Sequence, residues 1–179
     1  MKNIIYRNAN LDDALGIQYV SAYSWKETYT GLLPEKYLDD RIENLKLGAE
    51  RTKSFLENYK GNYIVAVDND INKIVGILAY MMEESCGHID AIYVLKDYQG
   101  YGIGKKLFEI AFDDFNKNEI NKVKLECMCG NNTTNFYKKY NGNIIDTIDY
   151  PIGNVCTVKA DVFEFNDVDE VLKLIKNRK

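Results

Sequence analysis

The constraint that most narrows the fold is a strand, a glycine-rich turn and a helix met in immediate succession. His88-Ile-Asp-Ala-Ile-Tyr-Val94 reads as a strand, and Gln99-Gly-Tyr-Gly-Ile-Gly104 follows it. Lys105 to Asn116 then carries Leu107, Phe108, Ala111, Phe112 and Phe115 at helical spacing, so one face of that helix must bury on a sheet. The glycines let backbone N–H groups come close to a ligand. The first N–H groups of the helix have no partner within it and carry the positive end of its dipole. Such a turn suits an anion, a pyrophosphate above all. The dinucleotide fingerprint would need Gly where Lys105 stands, and the P-loop would need Gly at Gln99 and Ser or Thr at Lys106. Both fail on residue identity, which leaves another anion or a glycine turn with no ligand.

Along the rest of the chain, strand-like and helix-like runs alternate and then give way to adjacent strands. That order implies an α/β fold with a mixed (α+β) sheet flanked by helices. Asn3 to Arg7 reads as the first strand. Asn10 caps a helix whose apolar face is expected to be Leu11, Ala14, Leu15, Tyr19, Ala22 and Tyr23. Pro34 opens a short second helix, and further helical sequence precedes Gly61. Tyr63–Val67 and Ile74–Tyr80 flank a polar turn as a hairpin. Later come a strand over Val123–Met128, a short helix over Asn132–Tyr140, strands over Asn143–Asp149 and Val155–Phe165, and a helix over Val168–Ile175. With 179 residues and no linker or repeat, one domain over residues 1–179 is expected.

Composition removes several function classes. Asp and Glu number 27 against 23 Lys and Arg, so no basic field is available for nucleic acid. The only His is His88, and Cys86, Cys127, Cys129 and Cys156 form no paired ligand spacing, so no metal is expected. Cys127 and Cys129 fall on one face of their strand and read as small buried hydrophobes. No apolar run reaches the ~18 residues of a membrane span, and the chain starts directly in strand-like sequence. A cytoplasmic protein with reduced thiols and no membrane partner is expected.

Gln99-x-x-Gly102-x-Gly104 after Tyr93-Val94 resembles the coenzyme A loop of the GNAT family of N-acetyltransferases. Gly130-Asn131-Asn132-Thr133 and Phe136-Tyr137-Lys138-Lys139 resemble the family's second motif, and Trp25-Lys-Glu-Thr-Tyr29 with Gly31-Leu-Leu-Pro34 is similar to bacterial members. Two departures are visible. Lys96 replaces a frequent Pro, and Asn141 replaces the usual Gly after the short helix, a mild change because Asn tolerates left-handed backbone.

The resemblance implies the acyl-CoA N-acyltransferase fold, a central, mostly antiparallel sheet flanked by helices. It also implies acetyl-CoA as cosubstrate and a primary amine of a small molecule or peptide as acceptor. Coenzyme contacts would fall on Ile92, Tyr93 and Val94, on Gln99, Gly100, Tyr101, Gly102, Ile103, Gly104 and Lys105, and on Asn131 and Tyr137. Tyr137 matches the general acid that protonates the departing thiolate. His88 is a candidate base, Asp90 its rival on the same face, and Glu83 and Glu84 could act through water. Acceptor selectivity would reside between Trp25 and about Tyr59. The resemblance leaves a monomer or a homodimer open, and a noncatalytic acyl-CoA-binding module of the same fold is the rival reading.

Overall fold

The protein is described here as a computed structural model covering residues 2–177. Seven strands form one sheet: β1 (Ile4–Asn8), β2 (Asn62–Asp68), β3 (Lys73–Glu83), β4 (Cys86–Val94), β5 (Lys122–Met128), β6 (Asn143–Ile152) and β7 (Cys156–Phe165). Their spatial order is β1-β2-β3-β4-β5-β7-β6. The helices are α1 (Ala14–Tyr29), α2 (Glu35–Glu43), α3 (Leu45–Asn58), α4 (Ile103–Lys117), α5 (Thr134–Lys139) and α6 (Val168–Asn177). β1 with β2, β5 with β7 and β6 with β7 are antiparallel, while β4 with β5 is parallel. The expected mixed, mostly antiparallel sheet with flanking helices is therefore present. Contacts group the chain into two compact units, one of residues up to Ala79 with Ala91–Phe108, the other of Tyr80–Asp90 with residues from Glu109 on.

In the first unit, Asn10 accepts from the Asp12 N–H and the Asp13 carboxylate returns to the Asn10 N–H, a reciprocal cap on the single 3₁₀ turn that leads into α1. The Arg7 guanidinium grips Asp13 with two bonds of 2.6 and 2.8 Å. The expected apolar face of α1 is only partly the buried one. Ala14 and Ala22 are buried, but Leu11, Leu15 and Tyr23 are exposed, and Ile17, Val20 and Ser24 are buried in their place. Small residues explain the choice: a Cβ on Gly16 would lie 2.8 Å from the Ile74 side chain, so α1 approaches β3 closely along that side. Tyr19 and Tyr23 instead pack against each other with tilted rings 4.3 Å apart, with the Lys73 ammonium 4.8 Å from the Tyr19 ring.

α4 begins two residues earlier than its sequence suggests, so Ile103 and Gly104 belong to its first turn. Its apolar face is the expected one, with Leu107, Phe108, Ala111, Phe112 and Phe115 all fully buried. In the first unit a Cβ on Gly76 would meet both Ile103 and Leu107 at 3.3 Å. In the second unit Phe115 fills the space beside Gly87 and meets Tyr80 edge-on at 5.3 Å, while Phe112 packs on Phe165 at 5.4 Å. Of the paired cysteines, Cys127 is buried, but Cys129 lies past the end of β5, half-exposed, with its thiol 3.4 Å from an Asp161 carboxylate oxygen. Among the described residues no helix is long and apolar enough to cross a membrane, and no three His, Cys, Asp or Glu side chains gather as a metal site.

Candidate active site

In the first unit, the glycine loop is anchored at both ends. Upstream, Leu95 donates to the Val75 carbonyl at 3.0 Å, and a 3₁₀ turn over Lys96–Tyr98 follows. The Tyr98 hydroxyl donates to the buried Asp68 carboxylate at 2.8 Å, and the Lys2 ammonium sits 3.6 Å from the centre of the Tyr98 ring. The Gln99 side chain turns back to donate to the Val94 carbonyl at 3.1 Å, tying the loop to the end of β4. Downstream, the first helical bond runs from Lys106 N–H to the Gly102 carbonyl at 2.9 Å. The amides of the turn before it, those of Ile103 and Gly104 included, have no carbonyl of the helix behind them.

Gly100 and Gly102 both hold φ of +81°, backbone that side-chain-bearing residues rarely adopt, and a Cβ on either would meet nothing within 4 Å. Their requirement is conformational, and the space beside them is open. Gly104 differs: it is helical, and a Cβ there would make ordinary contact with Val94 at 3.8 Å, so Ala would fit. Tyr101 is exposed at the loop's tip. Lys105 and the strand residues Ile92, Tyr93 and Val94 are half-buried. Two left-handed glycines before a helix N-terminus leave open space beside the positive end of the helix dipole, where an anion is favoured.

In the second unit, Tyr137 sits on α5 and is buried, with its ring 5.6 Å from Phe136 and 5.3 Å from Phe163. The buried Asn131 has a structural role as well as an expected binding one. Its side-chain oxygen accepts from the Thr133 N–H at 2.9 Å, and its carbonyl accepts from the Thr134 hydroxyl, which together open α5. Past the end of α5 and its C-cap Tyr140, Asn141 takes a φ of +62°, the left-handed conformation that Asn tolerates in place of Gly. His88 is half-buried on β4 in register with Lys124, whose ammonium faces Glu164 at 3.7 Å. Asp90, two residues on, is exposed. With Glu126 it bears on Tyr150, whose phenol is pushed up first by burial and then by these two carboxylates. The parallel ladder pairs Cys86–His88 with Lys122–Lys124, and both strands run on beyond it. Glu83 and Glu84 lie at the turn that precedes β4, both exposed.

Sequence reasoning missed a cavity of about 770 Å³ in the first unit, lined from α1, α2, α3 and the start of β2. Its signals were faint. Leu47 and Phe55 are 54% and 47% exposed and border this space.

The profile of the Acetyltransferase (GNAT) family matches residues 22–142. No curated protein matches the chain. Solved structures of the same fold do. The PaiA N-acetyltransferase of Thermoplasma acidophilum, in complex with coenzyme A, superposes with a TM-score of 0.68 at 18% identity, covering 92% of this chain and 99% of its own. A GCN5-related N-acetyltransferase of Rhodopseudomonas palustris reaches 0.71 at 15% identity over 93% and 97%. The ribosomal-protein-S18-alanine N-acetyltransferase of Escherichia coli reaches 0.65 at 15% over 90% and 92%. At these identities the structures speak for the fold, and the profile, which spans the glycine loop and α5, speaks for the family. The chain belongs to the GNAT family and is an acetyl-CoA-dependent N-acetyltransferase.

Proposed function

We propose that residues 99–105 cradle the pyrophosphate of acetyl-CoA, that Ile92, Tyr93 and Val94 bind its pantetheine arm, and that Tyr137 is the general acid as the acetyl group passes to a primary amine. The observation that carries the donor side is the pair of left-handed glycines, Gly100 and Gly102, opening onto empty space at the N-terminus of α4. The coenzyme supplies an activated thioester. The amine nitrogen forms the new C–N bond, the C–S bond breaks, the amine's proton leaves to a base, and the sulfur takes a proton from the Tyr137 hydroxyl. A Tyr of ordinary pKa near 10 carries that proton at neutral pH. We assign the base to Asp90, because it is exposed and bears on Tyr150 together with Glu126, a second carboxylate that would help draw a cationic amine, whereas His88 is paired in register with Lys124.

Thiol release from acetyl-CoA in the presence of polyamines, aminoglycosides, amino acids and peptides tests the reading. Release with at least one amine class is the expected result. Tight acetyl-CoA binding without release across the whole panel would instead support a noncatalytic module. For the base, Asp90→Asn should flatten the acidic limb of the pH-rate profile and His88→Ala should retain it; the reverse pattern moves the role to His88.

A further inference from the structure

The cavity among α1, α2 and α3 is lined by both hydrogen-bond donors and apolar side chains. Two guanidinium groups line it, Arg41 from α2 and Arg51 from α3, together with one carboxylate, Asp40. Asp40 is already held by the Lys36 ammonium at 3.0 Å. Among the described residues neither arginine pairs with a carboxylate. Arg41 is also fixed in place. Its Nη2 donates to Ser21 Oγ at 2.9 Å, its Nη1 to the Tyr37 hydroxyl at 3.4 Å, and its Cζ lies 4.3 Å from the centre of the Trp25 ring. Its Nε is buried with no acceptor. A guanidinium held by ring packing and left with an unfilled donor loses little freedom when an oxyanion arrives, and its planar fork matches a carboxylate.

The lining also carries apolar side chains. Leu47 and Phe55 are uncovered there, and the Tyr63 ring meets Phe55 edge-on at 6.2 Å. Tyr63 also links the cavity to the donor strand. Its phenol is pushed up chiefly by burial and further by the Tyr93 phenol on that strand.

We propose that this cavity is the acceptor subsite, and that the acceptor is an amine that also bears a carboxylate and an apolar side chain, as an amino acid does. The carboxylate lies on Arg41 and Arg51, and the side chain on Leu47 and Phe55. The proposal rests on the transferase reading above, and the test separates the two. The protein saturated with coenzyme A is titrated calorimetrically with N-acetyl-L-phenylalanine and with N-phenethylacetamide, product-like probes that differ only in the carboxylate. The acid should bind at least about tenfold tighter, as one charge-assisted hydrogen bond would give. Arg51→Gln, an exposed position that folding does not need, should erase that advantage, and Arg41→Gln should do the same where circular dichroism shows a native fold. Equal affinity for the two probes, or an advantage that survives in Arg51→Gln, overturns the subsite. Carboxylate-selective binding with no thiol release for any amine shows a carboxylate site but removes its role as acceptor subsite; release without selectivity keeps the transferase reading and overturns the subsite.

Discussion

Single residues decide whether the glycine loop can hold an anion. At φ of +81° Gly102 is costly to replace, because an L side chain in left-handed backbone loses about 1–2 kcal/mol. Gly102→Ala should therefore weaken coenzyme A binding by about tenfold, whereas Gly104→Ala, with its Cβ in ordinary contact with Val94, should bind within about twofold of wild type. Calorimetry on the two variants checks the contrast, and equal losses would contradict it. Tyr137→Phe removes a proton and little volume from a buried ring, so turnover should fall by about a hundredfold with coenzyme affinity near normal. Wild-type turnover in that variant would remove the acid role. The glycine pattern was readable from sequence because the residue type itself encodes the backbone. Arg41 was not, because its significance comes from Trp25, Tyr37 and Ser21 around it, on α1 and α2, which no spacing rule joins.

At the level of elements, helix and strand identity followed from periodicity, and the faces did so where one apolar stripe was available. α4 offers a single stripe and buries it. α1 carries two overlapping stripes, and the choice between them came from Gly16 and Ile74, a close approach visible only once β3 stands opposite. The cap that starts this region also has a pH signature. Burial by itself would raise the Asp13 carboxyl, but the Arg7 hydrogen bonds, the Asn10 N–H and the Arg7 charge outweigh it and hold the pKa below its ordinary value. A depressed folded pKa contributes stability above the unfolded value, near 4, that is lost as pH falls through the folded one. Asp13→Asn should thus cost about 1–2 kcal/mol at pH 7, and urea melts should show the gap to wild type closing at pH 3 and below. A gap independent of pH would show that the carboxylate charge is not what the cap uses.

For the whole molecule, β3, β4 and α4 each run from one compact unit into the other, so neither group of residues can be cut free without breaking a strand or a helix. We expect a single calorimetric unfolding transition with equal calorimetric and van't Hoff enthalpies; two resolved transitions would divide the proposed single domain of residues 1–179. The order of strands around a glycine loop was the part of the molecule most open to reading from sequence, because local patterns set it. The proposed acceptor cavity was closed to such reading, because it depends on how three helices with ordinary sequences enclose a space. The measurement that bears most directly on the central claim is acetyl-CoA titration of the wild type and of Gly100→Val/Gly102→Val, each followed by thiol release with the amine panel. Saturable binding and release in the wild type, both lost in the double variant while its fold persists, is the predicted result. Undiminished binding in the double variant would place the coenzyme elsewhere and contradict the account.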